Sequence, residues 1–297
     1  MTYLLGIDLG GSSVKAVAVT PEGTALARYN EPFDPDRPLH FAEVIGAVAE
    51  RAAAGQGGPP ERTGLSAPGL TARDGRSIAF LPNRLAGLES LDWTGFLGAS
   101  SPVPVLNDAH AALMGEVWQG AARGSSNVIL LTLGTGVGGA AMVDGHLLKG
   151  VIGRAGHLGH LVLDMAGPPD ICNTPGSLEW AIGNCTIRER TQGRFATTHG
   201  LIQACEGGDP FAREVWLKSV RALACAVASF INILDPEVVI IGGGIARAGD
   251  ALFQPLAGFL EPIEWRPGGQ QARIVPAQMG EFAGAFGAAY NALRQSA

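Results

Sequence analysis

Residues 131–160 read LTLGTGVGGAAMVDGHLLKGVIGRAGHLGH, in which a glycine-rich turn joins two apolar runs and leads into a loop with two histidines. The apolar runs lie at 128–131 and 140–143, and the second closes at the turn pair Asp144-Gly145. This pattern predicts a β-hairpin with few side chains at its tip. Glycines at such a tip let backbone N–H groups approach an anion closely, so the tip is a candidate phosphate site. Taken alone, the cluster also fits an ordinary glycine-rich hairpin.

A second hairpin of the same kind opens the chain, with an apolar strand at 3–7, a glycine turn at 8–13 and an alternating run at 14–19. Moving this copy by 124 positions (132 less 8) pairs Asp8 with Thr132, Gly10 with Gly134, Ala16 with Ala140 and Val19 with Val143. The sequence therefore predicts an internal duplication. Two related halves, each with a phosphate hairpin, can close on one nucleotide from opposite sides.

The composition is that of a globular chain, with 297 residues, 46% hydrophobic and only 16% charged. A net charge of -6 and a pI near 5.5 argue against a nucleic-acid partner, because no basic stripe is available to replace counterions. The four cysteines lack CxxC spacing and the N-terminus resembles no export signal, so we expect a cytoplasmic protein. No apolar run of about 18 residues is apparent, so no membrane span is expected.

The run 102–106 predicts a short strand that ends at Asn107-Asp108, and ligands of open α/β sheets gather at such carboxyl ends. Asp108 is a candidate general base. Aspartate is also a favoured helix N-cap, and the residues alone leave both roles open. His110 is interpreted as an ordinary helix residue.

Two further loops look suited to contact a ligand. The segment 64–69, GLSAPG, resembles a nucleophile elbow, but Pro68 stands where that motif needs glycine, so we exclude a hydrolase serine. We expect its backbone to approach a ligand, together with the amide of Asn83. After an apolar strand, 242–244 begins a GxGxxG pattern that fails at Arg247, which indicates a glycine turn for a base or ribose. Apolar spacing predicts helices at 40–54, 211–234 and 280–293.

Six short motifs together resemble the ROK family, the sugar-kinase and repressor group of the actin-like ATPase fold: DxGGS at 8–12, Asn-Asp at 107–108, LGTGVGG at 133–139, GHxGH at 156–160, GSLE at 176–179 and IIGGGI at 240–245. The resemblance runs from Leu5 to Ala289. It implies an α/β fold of duplicated actin-like ATPase (ribonuclease H-like) domains flanking a cleft. The implied domains are a smaller N-terminal one, 1–110 plus 281–297, and a larger one, 111–280.

The resemblance also implies ATP-dependent phosphorylation of a hexose or N-acylated hexosamine, at the 6-hydroxyl, with Asp108 as general base. Phosphates would be held by Asp8, Gly10, Gly11 and Ser12 and by Gly134, Thr135, Gly136 and Gly138, with Asp8 facing Mg²⁺ and with Gly243 and Gly244 beside adenosine. The sugar would be surrounded by Ser66, Gly69, Asn83, Asn107, Asp108, His157, His160 and Glu179. Phosphoryl transfer needs mainly positioning, Mg²⁺ and a carboxylate, so the chemistry agrees with the residues.

The sequence departs from the family pattern in two places. The family loop reads ExGH, whereas here His157 takes the glutamate position, which changes the hydrogen-bond pattern that the loop offers to a sugar and leaves an N-acylated or otherwise modified hexose open beside plain glucose. The family zinc motif CxCGxxGC falls on 170–177, where only Cys172 remains alongside His160. We therefore expect no structural zinc, and we expect prolines 168, 169 and 175 to stiffen the loop instead.

Two alternatives remain besides a sugar kinase. A sugar-responsive repressor would carry a helix-turn-helix before the first strand, and the chain enters that strand at Leu4. An inactive sugar-binding or regulatory protein would have no need of Asp108. Polyphosphate as the donor stays open. Relatives commonly pair, so the resemblance implies a homodimer.

Overall fold

The computed structural model describes residues 2–295. In this range the strands are β1 (Leu4–Leu9), β2 (Ser13–Val19), β3 (Ala25–Pro32), β4 (Arg62–Ala67), β5 (Leu70–Thr71), β6 (Ile78–Phe80), β7 (Val105–Asn107), β8 (Val128–Leu133), β9 (Val137–Val143), β10 (His146–Leu147), β11 (Val238–Gly242) and β12 (Arg273–Pro276). Both predicted hairpins are present, as β1–β2 and β8–β9. The strand predicted at 102–106 begins only at Val105, because Pro102 and Pro104 have no N–H group to give to a sheet.

The α-helices of the same range are α1 (His40–Gln56), α2 (Trp93–Phe96), α3 (Asp108–Gln119), α4 (Leu178–Ile182), α5 (Ile187–Arg190), α6 (Thr198–Glu206), α7 (Pro210–Leu234), α8 (Asp250–Leu260) and α9 (Ala283–Arg294). The three helices predicted from apolar spacing correspond to α1, α7 and α9. The last begins later than predicted, because Gly280–Phe282 forms a 3-10 turn. Helix α7 starts where Asp209 caps two N–H groups ahead of Pro210, and it ends at Asp235 in the left-handed conformation.

The described residues form two compact units. The first lies within Met1–Gly124, Leu147–Ala155 and Gln278–Ala297, and the second within Ser125–His146 and Gly156–Ala277. The sheet of the first unit has the order β3-β2-β1-β4-β7, and that of the second has the order β10-β9-β8-β11-β12. In each, the central strand is antiparallel to its hairpin partner and parallel to the strand on its other side. The two units thus share one strand order, while the domain limits drawn from the sequence stay a prediction.

The two hairpins differ in the length of their tips. Ile7 pairs with Ala16 in the first hairpin, and the equivalent Leu131 pairs with Gly139 in the second. The counterpart of Ala16 is therefore Gly139, and the pairing of Ala16 with Ala140 inferred from the ungapped repeat was wrong. The reason is that residues 10–13 separate the paired positions of the first hairpin, whereas only residues 134–136 do so in the second.

In the first unit, α9 packs unusually close to its neighbours. A Cβ on Gly6 of β1 would overlap the carbonyl oxygen of Ala285, and one on Gly64 of β4 would overlap that of Ala288. On the opposite side, Gly287 of α9 lies directly against the backbone of Ala111 in α3. Glycine at these contacts lets backbone meet backbone, so α9 holds the strand that carries Asp8 and the helix that begins at Asp108 in fixed places.

The core of the second unit is built on α7. Its inward face buries Trp216, Val220, Leu223 and Val227, and the indole N–H of Trp216 donates to the Ala251 carbonyl at 2.8 Å. Contrary to the expectation from the sequence, α7 is long and apolar enough to cross a membrane, although half of its apolar 18-residue stretch is buried inside the protein. A helix in the core of a soluble protein can have the same length and composition, so these two properties of α7 are weak evidence for a membrane span.

Candidate active site

The tip of the first hairpin brings a carboxylate to the end of β1. Asp8 lies beside Ser66 of β4 and accepts a 2.7 Å hydrogen bond from its hydroxyl. On its other side stands Gly284 of α9, where an added Cβ would come within 2.6 Å of the Asp8 carboxyl carbon. At the tip itself the Gly10 N–H donates to the Ser13 carbonyl at 2.9 Å. Ser66, predicted to contact the sugar, therefore serves first as the partner of Asp8.

The surroundings of Asp8 disfavour its charged form. Burial raises its pKa to about 6, with a further increase from the charge of Asp108, against lowering effects from the Ser66 hydrogen bond and from Lys15. Such a carboxyl group gains from a nearby cation, which would favour the ionised form. Asp8 therefore fits the role of facing a hydrated Mg²⁺ ion.

The end of β7 shows which residue caps α3. The N-cap of α3 is Asn107, whose side-chain oxygen accepts the Ala109 N–H at 3.0 Å while its amide donates to the Gly69 carbonyl at 3.0 Å. Asp108 is the first helical residue and is exposed, with Oδ1 at 2.8 Å from the same Ala109 nitrogen. The capping role falls to Asn107, and the Asp108 carboxylate is presented at the positive end of the helix.

Gly69 and Asn83 lie in the turns that follow β4 and β6. Gly69 has φ of 102°, and an added Cβ would come within 2.7 Å of the Phe80 carbonyl oxygen, so glycine is required there. Asn83 is exposed with φ of 60°. Its neighbour Arg84 has a guanidinium nitrogen 3.3 Å from where a Gly11 Cβ would be, so a cation lies over the first tip.

His110 has a larger role than the sequence indicated. It is fully buried in α3, and its Nε2–H donates to the carbonyl of Ala155 at 3.0 Å. The bond ties the segment Leu147–Ala155 to α3, two residues beyond Asp108. A helical histidine carries no sequence signal for a partner 45 positions away.

The tip of the second hairpin is braced by other parts of its own unit. Glu179 of α4 accepts the Val137 N–H at 2.9 Å, and its carboxylate fills the space where a side chain on Gly136 would lie. The carbonyls of Gly134 and Thr135 accept N–H groups from Asn184 and Cys185 at 3.0 and 2.8 Å. Glu179, predicted to contact the sugar, also shapes the predicted phosphate turn. Gly138 pairs with Thr132 within the hairpin.

A cavity of about 730 Å³ opens beside this tip. Its lining is Gly134, Thr135, Asn184, Thr197, Thr198, His199, Ile202, Gln203, Glu206, Gly244, Ile245, Arg247 and Ala248. The structure thus brings the predicted residues Gly134, Thr135 and Gly244 to one cavity. Gly243, just behind, has φ of 86° and packs on the Leu133 backbone. The Thr198 hydroxyl is buried and has no partner among the described residues, so this wall offers a polar group to a ligand.

Residues of α6 form a wall of this cavity that the sequence did not reveal. Thr198, His199, Ile202, Gln203 and Glu206 are ordinary helix residues by pattern. Only the close packing of α6 on α7 shows which of its faces lines the cavity.

The histidine loop rests on the second hairpin. Gly159 packs on the Val137 carbonyl, and Leu158 packs on Gly139, so neither glycine could carry a side chain without displacing the loop. His157 precedes the 3-10 turn Leu158–His160. His160 Nδ1 lies 2.7 Å from Asp170 Oδ2, and its Nε2 lies 3.5 Å from Cys172 Sγ.

The donor set around His160 does not fit a closed structural zinc site. His160, Asp170 and Cys172 place ligand atoms within 4.8 Å of one another. However, both Asp170 oxygens already accept hydrogen bonds, from His160 and from backbone N–H groups. This group offers at most three ligand atoms among the described residues, whereas structural zinc takes four ligands. Burial, together with the charges of Asp170 and Glu179, raises the pKa of the Cys172 thiol.

Proteins of known structure share this fold. The ROK hexokinase of Thermus thermophilus superposes with a TM-score of 0.89 at 30% identity, covering 99% of both chains. The Streptomyces griseus ROK glucokinase, solved with glucose and AMPPNP, gives a TM-score of 0.75 at 28% identity over 99% of each chain. The fold class is thus confirmed as the two-domain actin-like ATPase fold of ROK kinases, and the protein is of the sugar-kinase class.

The ROK family profile matches residues 4–295, and the chain belongs to the ROK family. The glucokinase of Thermotoga maritima is 35% identical over 277 residues, which are 85% of each chain. The N-acetylmannosamine kinase of Vibrio cholerae is 30% identical over 297 residues, covering 96% of this chain and 98% of the relative. The family predicted from the sequence is confirmed.

Proposed function

We propose that the protein transfers the γ-phosphoryl group of ATP to the 6-hydroxyl of a hexose or N-acylated hexosamine, with Asp108 as general base. The observation that carries the proposal is at the start of α3, where Asn107 caps the helix and Asp108 is exposed. A carboxylate that is held in place and reaches solvent can accept the proton of an acceptor hydroxyl. The relatives named above are sugar kinases.

The proton transfer accompanies attack on the phosphorus. The hydroxyl oxygen forms a bond to the γ-phosphorus as its bond to the β-phosphate oxygen breaks, and the hydroxyl proton goes to the Asp108 carboxylate. The partial positive charge at the start of α3 favours the carboxylate before transfer. ADP and a sugar phosphate are the products.

The nucleotide is assigned to the second unit, with its phosphates on the tip at Gly134 and Thr135 and its adenosine beside Gly244. Support comes from the cavity that contains all three residues and from the buried Thr198 hydroxyl in its wall. In the first unit, Asp8 would hold the hydrated Mg²⁺ that neutralises developing charge on the phosphates. Gly10, Gly11 and Ser12 would supply backbone N–H groups there.

The sugar class depends on His157. A glutamate in its place only accepts hydrogen bonds, whereas a neutral histidine accepts at one nitrogen and donates at the other. We propose that this change favours a hexose whose substituent differs from a plain hydroxyl, such as an N-acyl group. The V. cholerae relative, named for N-acetylmannosamine, is in line with this preference.

His157→Glu is expected to change the ratio of kcat/KM between N-acetylmannosamine and glucose by about 10-fold in favour of glucose, since one hydrogen-bond pattern is replaced by another. The measurement is a coupled ADP assay with both sugars on wild type and variant. An unchanged ratio would remove His157 from substrate selection. His146, exposed at β10, provides the control substitution His146→Glu.

The decisive test is ADP release over glucose, mannose, fructose, allose, N-acetylglucosamine and N-acetylmannosamine, with ATP or polyphosphate as the donor. Asp108→Asn should lower kcat by about 10²- to 10⁴-fold and leave nucleotide affinity nearly unchanged. The matched control is Asp250→Asn, because Asp250 is likewise an exposed first residue of a helix, α8. Phosphorus NMR of the product assigns the hydroxyl.

A variant of Asp108 with undiminished rate would exclude it as the base. No turnover of any sugar by the wild type, combined with measurable sugar binding, would favour the inactive sugar-binding protein instead. Pairing into homodimers, also expected from the resemblance, stays a prediction for sedimentation measurements.

A further inference from the structure

Asp170 lies at the centre of the loop in which the family pattern places zinc. Its side chain is only 1% exposed. Its Oδ2 accepts the Nδ1–H of His160 at 2.7 Å, and its Oδ1 accepts the N–H groups of Cys172 and Thr174 at 2.8 and 3.0 Å. The Ser177 hydroxyl lies close enough to lower the pKa of the same carboxylate. One buried anion therefore gathers groups from 160 to 177, as a metal would.

The positions of these partners match the missing zinc ligands. In the family pattern CxCGxxGC, the three cysteines fall on positions 170, 172 and 177, which here are Asp170, Cys172 and Ser177. Two of the three thiols are thus replaced by a carboxylate and a neighbouring hydroxyl. The Asp170 carboxylate lies next to Nδ1 of His160 and accepts its hydrogen bond.

We propose that the Asp170 carboxylate replaces the family zinc as the organising centre of this loop and holds His160 in its Nδ1–H tautomer. An ionised carboxylate only accepts hydrogen bonds, so Nδ1 must carry the proton. Asp170 is then a positioning residue, and its effect on sugar turnover rests on the function proposed above.

The hydrogen bonds also connect Asp170 to the second hairpin. Ser177 is the N-cap of α4 and accepts the Trp180 N–H at 3.1 Å. The same helix carries Glu179, which accepts the Val137 N–H at the hairpin tip. A change in the loop conformation at Asp170 is therefore expected to displace Glu179, which shapes the tip.

The acidity of the carboxyl group agrees with this role. Burial alone would raise the pKa of Asp170, but hydrogen bonds from His160, Ser177, Thr174 and Cys172 outweigh it and hold the pKa below its usual value. The raised pKa of Cys172 keeps its thiol protonated, so that its S–H can donate to Nε2 of His160.

The first test is Asp170→Asn, which keeps the shape and one accepting oxygen but presents an NH₂ group to His160. His160 should change to the Nε2–H tautomer, which ¹⁵N NMR of the imidazoles detects, with the signal assigned from His160→Gln. The melting temperature should fall by about 5 °C. The KM for the sugar should rise about 10-fold, with kcat within about 3-fold of wild type, because Asp108 is unaltered.

The matched control is Asp164→Asn, an exposed carboxylate in the same loop that accepts only the Ala166 N–H at 2.9 Å, a bond that asparagine retains. It should change neither tautomer, melting temperature nor KM. An Nε2–H tautomer in the wild type would overturn the proposal. So would an Asp170→Asn variant identical to wild type in tautomer and melting temperature. These readouts do not need kinase activity, so they separate this proposal from the proposed function.

The second test rebuilds the metal site. Asp170→Cys combined with Ser177→Cys gives three thiols and His160 at the positions of the family pattern, which is a complete structural zinc set. Metal analysis should find one zinc per chain in the double variant and none in wild type, and zinc should restore the melting temperature lost in Asp170→Cys alone. Wild type carrying one tightly held zinc per chain, or a double variant that binds none, contradicts the replacement.

Discussion

The two glycine hairpins have the same place in two sheets of the same strand order, yet their surroundings differ. The first has a carboxylate of its own at the end of its leading strand, Asp8, bonded to Ser66. The second has Thr132 at that position and a tip shorter by one residue. The carboxylate at the second tip belongs to Glu179 of α4, which accepts the Val137 N–H. The two hairpins therefore share a backbone arrangement but differ in the charged groups around them.

This difference indicates that the two hairpins have different roles. A carboxylate whose pKa is raised by burial is suited to face a cation, as proposed for Asp8. The second tip opens into the 730 Å³ cavity and offers backbone groups braced from behind. Substitutions at equivalent positions of the two hairpins test whether their roles differ.

The largest effect is expected at the ends of the leading strands. Asp8→Asn should lower kcat about 10²-fold, because the charge that faces Mg²⁺ is lost while Ser66 keeps an acceptor. Its twin Thr132→Val should change kcat less than about 3-fold. Steady-state kinetics over a range of Mg²⁺ concentrations measures both. Equal losses in the two variants would contradict this difference in roles.

A smaller effect should appear in stability as a function of pH, without nucleotide and with a chelator present. The folded-state pKa of Asp8 is raised to about 6, so the stability linked to its proton is fully present below pH 3.8 and is lost as the pH rises through about 6. Asp8→Asn removes this loss and should gain about 2 kcal/mol over wild type between pH 4 and 7. Thermal melts across that range test it. A constant difference between the two proteins would show that Asp8 titrates normally.

The third effect concerns the brace of the second tip. Glu179→Ala should raise the KM for ATP about 10-fold, since the Val137 N–H and the turn at Gly136 lose their support. Glu237→Ala is the control, because Glu237 accepts the N–H groups of Ser126 and Asn127 at the opposite end of β8. That variant should lose about 1–2 kcal/mol of stability with no change in KM. If both variants bind ATP alike, the brace has no role in binding.

Much of the fold could be predicted because its signals are local. The glycine turns between apolar runs predicted both hairpins, and the 4-3-4 spacing from Trp216 onward predicted α7. The predicted strand that ends at Asn107-Asp108 indicated a ligand site at the carboxyl end of a sheet. What local pattern could not show was which of those two residues caps the helix, since both types are favoured caps and the Ala109 N–H donates to both side chains. The extended backbone of Asn107 and the helical position of Asp108 decide it.

Other parts of the site depend on partners far apart in the chain. His110 meets Ala155, and Glu179 meets Val137 across 42 positions. The role of Asp170 was likewise hidden, because an aspartate between prolines reads as a turn residue. The stiffening of this loop by prolines remains a prediction, and the carboxylate adds a centre that the sequence did not suggest.

Most strands and turns and the repeated hairpin could be read from the residues, because they follow from short-range periodicity and backbone preference. The family, and the groups expected at a phosphoryl-transfer site, came instead from the resemblance of six short motifs. The register of the second hairpin, the lining of the cavity beside its tip and the partners of Asp8, Asp170 and Glu179 emerged only in the tertiary structure. Those depend on packing and desolvation, which exist only once distant segments meet.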